Sequence, residues 1–148
     1  MALKDTSKKP FIEDRKDNVF IGIDLPFRKS TNIDGWFAST TTTIDAVKNN
    51  IRNLLNTHKG ERYMQPTLGL NLRKYMFEQF TPELKDLIKV DIMDTFKFWL
   101  PFVQVKNLEV NMSETVNSVG KNKLIISVLF NITRDPNTTE SVQIEIGD

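Results

Sequence analysis

IRNLLNTHKGERYMQPTLGLNLRKYMF, residues 51–77, is the stretch whose reading decides the fold. Ile44, Val47, Ile51, Leu54 and Leu55 lead into it at spacings that place them on one stripe of a helix. Thr42 and Asp45 stand three apart just before that run, where they can satisfy free amides and the positive helix end. The stripe stops at Leu55, and Gly60 is the candidate terminator, because a left-handed residue costs glycine nothing. Glu61 and Arg62 follow side by side in a connector, the kind of segment on which a scaffold displays functional groups. Pro66 and Gly69 shape that connector. A second helix is expected after Gly69, with Leu72, Tyr75, Met76 and Phe80 packing inward.

Downstream, Thr81 is a good N-cap and Pro82 a good first residue for a third helix. That helix carries Leu84, Leu87, Ile88, Ile92, Phe96 and Trp99 as its apolar stripe until Pro101 stops it. Beyond Pro101 the period changes from helical to alternating. Val103-Val105 and Leu108-Val110-Met112 are out of phase, which predicts a bulge at Lys106-Asn107. Ser113 to Lys121 reads as a loop. Lys123 to Thr133 is the strongest strand, with Leu124, Ile126, Val128, Phe130 and Ile132 on one face and Ile125 and Leu129 on the other. Arg134 to Thr139, with Asp135-Pro136-Asn137, reads as a turn, and Ser141 to Ile146 as a last strand. Local loops joining three strands make an antiparallel meander.

Upstream, Val19 to Leu25 alternates and predicts a strand burying Val19, Ile21, Ile23 and Leu25, ended by Pro26. Arg28 to Thr43 is a polar loop in which Trp36-Phe37 is expected to anchor on the core. Residues 1–18 are largely polar and charged, with Phe11-Ile12 as an apolar pair, and read as a flexible arm. The order is one strand, three helices, then a three-stranded antiparallel meander. That segregation is α+β, with the helices on one face of the sheet. The expected organisation is an arm, 1–18, and one domain, 19–148.

The 148 residues are long enough for a genuine core, and 39% apolar and 26% charged residues are ordinary for a globular chain. Twenty Lys and Arg against nineteen Asp and Glu give a net charge of +1, which argues against whole-protein attraction to nucleic acid. No apolar run approaches the roughly 18 residues of a membrane span. No signal-peptide pattern follows Lys4, Lys8 and Lys9, so use in the cytosol or in a particle assembled there is expected. There is no cysteine and one histidine, His58, so neither zinc nor multi-histidine chemistry has its ligands. Walker and nucleophile-elbow motifs are absent. Glycoside hydrolysis needs only two carboxylates, and Glu61 and Glu78 are the candidates. Against it, a carboxylate paired with Arg62 would have a lowered pKa, whereas a general acid needs a raised one. No enzyme, cofactor or metal is expected. Gly60-Glu61-Arg62 keeps two readings: caps for the adjoining helices, or directed charge-assisted bonds to a partner.

The run Leu54-Leu55-x-Thr57-x-x-Gly60-Glu61-Arg62-x-Met64-x-Pro66-x-x-Gly69-x-x-Leu72, ending in Phe77-Glu78, resembles the baseplate wedge family of contractile phage tails. That family is also called GPW-like, sheath initiator or "lysozyme-like", and includes the TssE component of type VI secretion. Ile21-Gly22-Ile23-Asp24-Leu25-Pro26-Phe27 is similar to its opening strand. The resemblance runs from Phe20 to the C-terminus; the Arg28 to Thr43 loop and the arm depart from it. It implies a non-enzymatic structural subunit, present in several copies of a symmetric virion tail baseplate assembled in the host cytoplasm. Gly60, Glu61, Arg62, Pro66 and Gly69 would dock on the wedge core, with other wedge proteins as partners. Val142, Gln143, Ile144, Glu145 and Ile146 would pair with the tail sheath protein and template its assembly. Nucleic acid and membrane are not implied. A type VI secretion baseplate component and a peptidoglycan-cleaving lysozyme are the alternatives.

Overall fold

The computed structural model describes residues 11, 14, 19–30, 35–79, 81–114 and 122–147. The chain divides into two compact units, residues 1–51 and 52–148, and the boundary falls within the first helix, α1 (Thr43–Asn56).

In the first unit, β1 (Gly22–Ile23) and β2 (Ser39–Thr40) pair antiparallel, with Gly22 opposite Thr40. A bridge between Lys29 and Phe37 extends the ribbon. Asn49, on α1, is buried and donates to the Ile23 carbonyl at 3.2 Å. The α1 start is capped as expected: the Asp45 amide donates to Thr42 Oγ1 at 3.3 Å, and the Thr42 hydroxyl donates to the Asp45 carboxylate. The Thr43 amide donates to Asp14 Oδ1 at 2.7 Å. Of the segment read as a flexible arm, two residues are described: Asp14 makes this cap and Phe11 is buried. Arg28 pairs with Asp24 and holds its carboxyl below the usual carboxylate range.

Two expectations for this unit are corrected. Strand pairing covers only Gly22–Ile23, and Ile23 is 54% exposed instead of buried. A two-stranded ribbon has no third strand to enforce a long buried face. Trp36 and Phe37 do not anchor inward: they are 81% and 56% exposed, and Phe37 instead packs its ring 5.8 Å from that of Phe27.

The second unit contains the sheet. After α1 come α2 (Leu72–Tyr75), α3 (Pro82–Trp99), β3 (Val103–Glu114), β4 (Asn122–Ile132) and β5 (Asp135–Ile146). The sheet order is β3-β4-β5, antiparallel throughout. Leu124, Ile126, Val128, Phe130 and Ile132 are all buried, joined on the same face by Val103, Val110, Val142, Ile144 and Ile146. α3 packs against β3 and contributes Leu84, Ile88, Ile92 and Phe96 to the core. Thr81 Oγ1 accepts from the Leu84 amide and Pro82 opens the helix, as the sequence predicts. The predicted bulge is also present, as a register shift between Val105 and Asn107.

Four details differ from expectation. α2 is a single turn, and beyond it the chain continues in tighter i→i+3 bonds, from the Met76, Phe77 and Glu78 amides; Phe80 lies outside the described residues. Leu87 is 51% exposed, since the buried arc of α3 follows the i, i+4 positions from Leu84 and leaves Leu87 on its flank. Residues expected in the Ser113 to Lys121 loop begin inside β3, and 115–121 lie outside the described residues. The β4–β5 turn is Thr133-Arg134, not Arg134 to Thr139. Ile132 pairs with Asp135 and Asn131 with Thr139, so Pro136, Asn137 and Thr138 form an outward bulge in β5. Among the described residues β5 is an edge strand, and Pro136 lies in its unpaired bulge, where a proline removes no ladder hydrogen bond; the Pro136 carbonyl accepts from buried Asn131 Nδ2 at 3.1 Å.

Candidate docking loop

α1 ends when Thr57 turns back on it, its hydroxyl donating to the Asn53 carbonyl at 2.6 Å. The Thr57 carbonyl is then approached from the far end of the connector. It accepts from the Leu70 amide at 2.9 Å, and the Gly69 backbone passes so close that a Cβ there would lie 2.1 Å from it. Gly69 holds φ +105, and only glycine meets both demands. A second closure lies inside the first, where the Gly60 amide donates to the Pro66 carbonyl at 2.7 Å, with Gly60 at φ +90. Two further turns, Gln65 N to Arg62 O and Leu68 N to Gln65 O, both at 3.1 Å, fill the interior. The result is a compact loop whose ends are clamped at Thr57–Leu70, the organisation of an Ω-loop.

Gly60, Glu61, Arg62, Pro66 and Gly69 are therefore brought into one closed loop. Their roles are not alike. Gly60, Pro66 and Gly69 shape the backbone. Glu61 Oε2 accepts from the His58 amide at 2.9 Å, satisfying a donor just past the end of α1. Arg62 Nη2 donates to Asn53 Oδ1 at 3.1 Å, on the last turns of α1. Both side chains serve the same helix end, and among the described residues no hydrogen bond joins Glu61 to the start of α2. Among the described residues no ion pair joins Glu61 to Arg62, so an Arg62 pairing cannot be the reason to set Glu61 aside as an acid. Glu61 and Glu78 are both exposed, and neither lines the pocket described next.

Sequence reasoning missed the two side chains that the loop presents most openly. Tyr63 is 96% and Met64 87% exposed. The available signal was an apolar pair in a turn of polar residues, with no partner at helical or strand spacing.

The second candidate set lies on β5. Val142, Ile144 and Ile146 point into the core, and Gln143 and Glu145 point out, with Glu145 3.8 Å from Lys123 on β4. β5 pairs with β4 on one side only among the described residues, so what it offers outward is backbone. The end of this strand meets the base of the loop: His58, Leu70 and Arg73 share a shallow pocket with Glu145, Ile146 and Gly147. Among the described residues there is no cluster of metal-ligating side chains, and no helix is long and apolar enough to cross a membrane.

The family model described as Baseplate wedge protein gp25 matches residues 41–137. The chain is similar to Baseplate wedge protein gp25 of Enterobacteria phage T4, 22% identical over 131 residues, covering 88% of this chain and 93% of that one. Among solved structures, it is similar in fold to a chain of the anti-feeding prophage baseplate, with TM-score 0.61 and 23% identity over 75% of this chain and 83% of that one. It is likewise similar to a Geobacter sulfurreducens protein that carries the name tail lysozyme, with TM-score 0.57 and 22% identity over 71% and 90% of the two chains.

Proposed function

Because the chain belongs to the baseplate wedge gp25 family, we propose that it is a structural subunit of a contractile-tail baseplate, docking on other wedge proteins through the 58–69 loop. The observation that carries the docking reading is the double closure of that loop. Two glycines at positive φ and two backbone clamps hold one shape before any partner arrives. A surface already ordered loses little conformational freedom on binding. Glu61 and Arg62 remain exposed while bonded within the chain, and each keeps unused acceptor or donor positions for a partner.

The second contact is with the tail sheath. The open edge of β5 at Val142, Gln143, Ile144, Glu145 and Ile146 accepts an extended segment of a sheath subunit by strand pairing, which starts sheath polymerisation. The support is that three of these five side chains face inward, so recognition there runs through backbone amides and carbonyls. Assembly takes place in the host cytoplasm, and the subunit resides in the virion tail.

The test is co-purification with the other tail proteins, comparing wild type with a Glu61/Arg62 double alanine variant. Capture by wild type and loss by a folded variant supports the docking loop; equal capture refutes a contact made through Glu61 and Arg62. One relative carries the name tail lysozyme, so the same preparations should be assayed for peptidoglycan clearing. Lysis at catalytic enzyme levels that Glu61→Gln abolishes would replace the structural reading with an enzymatic one.

A further inference from the structure

We propose that Tyr63 and Met64 are the anchors of the docking loop, and that they enter an apolar pocket with a carboxylate-bearing rim on a neighbouring baseplate subunit. This rests on the docking reading above and names the contact residues and the chemistry of their partner.

The polar side chains at the head of the loop, though exposed, are each held by a bond within the chain, Glu61 to the His58 amide and Arg62 to Asn53. The backbone is closed at Thr57–Leu70 and again at Gly60–Pro66. The turn also displays two apolar side chains, Tyr63 and Met64, at 96% and 87% exposure. Single exposed apolar side chains are common on protein surfaces and need no explanation. Two adjacent ones on a doubly clamped turn are different. The Arg62–Gln65 turn around them and the Gly60–Pro66 clamp fix the backbone that carries them.

The two residue types suit a knob. Tyrosine brings large area on two torsions, and its hydroxyl asks for an acceptor at the far end of the pocket. Methionine is unbranched and fills whatever irregular space remains. Tyrosine is among the residues that dominate interface energetics when its ring becomes fully desolvated.

Local charge defines the rim. Lys59, Arg62, Arg73 and Lys74 stand in and just after the loop against Glu61 and Glu78, although the whole chain carries only +1. His58 and Arg73 meet at the shallow pocket under the loop, where Glu145 is already beside Lys123. A surface of this sign is matched by an acidic one, which steers approach and rejects basic alternatives.

The experiment uses baseplates assembled from the full set of tail proteins encoded with this chain. One arm measures incorporation of Tyr63→Ala, Met64→Ala and the double variant. A second arm carries a photo-cross-linking phenylalanine analogue at position 63 and maps the adduct. The expected result is incorporation about 30-fold weaker for Tyr63→Ala, with an unchanged urea midpoint, and a salt-sensitive wild type. The adduct should fall on one partner subunit, at apolar residues flanked by Asp or Glu. Wild-type incorporation of the double variant, or an adduct among Lys and Arg residues, overturns this proposal alone. Absence of the wild-type chain from purified particles overturns the docking reading and this proposal together.

Discussion

Replacing Gly69 by alanine tests the loop architecture directly, because Gly60 supplies a control within the same loop. Both glycines have positive φ, +105 and +90. At Gly60 an added Cβ would meet nothing within 4 Å, so Gly60→Ala carries only backbone strain, about 1–2 kcal/mol. At Gly69 the same methyl would lie 2.1 Å from the Thr57 carbonyl oxygen and 2.8 Å from its carbon, where ordinary contact begins at 3.4 Å. Both are backbone atoms, so the clamp must open by more than an ångström. That movement breaks the bond from the Leu70 amide to the Thr57 carbonyl, now 2.9 Å long. Leu70 is 2% exposed and Thr57 6%, so the freed groups have little access to water. Leaving them unsatisfied adds about 1–3 kcal/mol. The total for Gly69→Ala is about 2–5 kcal/mol, a large share of the roughly 5–15 kcal/mol that holds a typical domain together. Urea unfolding of both variants, followed by far-UV circular dichroism, measures the difference. If Gly69→Ala falls within about 0.5 kcal/mol of Gly60→Ala, the close approach does not constrain the loop and the argument for a pre-shaped docking element fails.

Leu54→Ala, at a position 4% exposed on α1, should cost about 2–5 kcal/mol in the same assay; a loss under about 0.5 would mean the buried face of α1 is elsewhere. Thr81→Ala removes the acceptor for the Leu84 amide and should cost about 1 kcal/mol, with Thr81→Ser close to neutral. Tyr75 donates to Asp91 at 2.5 Å, tying α2 to α3, and burial, reinforced by Asp91, pushes its phenol up to about 12 from an ordinary 10.0. The folded state therefore holds this proton more tightly than the unfolded chain. Its contribution is complete below pH 10 and is lost as pH rises through about 12. Tyr75→Phe should be less stable at neutral pH, and a stability profile over that alkaline window should lose the Tyr75 component; an unchanged profile would refute the Tyr75–Asp91 tie.

Legibility in the sequence followed how local the deciding physics was. The start of α3 was readable because Thr81-Pro82 acts within its own first turn. The β3 bulge was readable because one extra residue flips every later side chain to the other face, so the phase slip between Val105 and Leu108 records it. The buried face of β4 was readable because a central strand is fixed from both sides. Asp135-Pro136-Asn137 was misread for the opposite reason. Those residues do bend the chain, but whether they close a hairpin or bulge an edge strand depends on the register of β4. β2 was missed because Ser39–Thr40 pairs only with the two residues of β1 and has no alternation of its own. Trp36 and Phe37 were expected to turn inward on residue type alone, and residue type does not supply a core to receive them. Part of the loop was legible, since glycine at 60 and 69 and proline at 66 announce a shaped backbone. The direction in which Glu61 and Arg62 turn was not, since it depends on where α1 brings Asn53 and the His58 amide.

That last point changes how substitutions in the loop must be read. Glu61 and Arg62 stand out in the sequence, so they are the natural first targets. Yet each holds the end of α1 through a hydrogen bond, and removing either loosens the surface it belongs to. A binding defect at those positions therefore mixes lost contact with lost shape. Tyr63 and Met64 make the cleaner probes, because at 96% and 87% exposure they have little packing within the subunit to lose. Truncating them leaves the Thr57–Leu70 and Gly60–Pro66 clamps in place. If assembly follows Tyr63 and Met64 while stability follows Gly69, Glu61 and Arg62, the loop separates into a frame and a contact. The residues that stand out in the sequence are then mostly the frame.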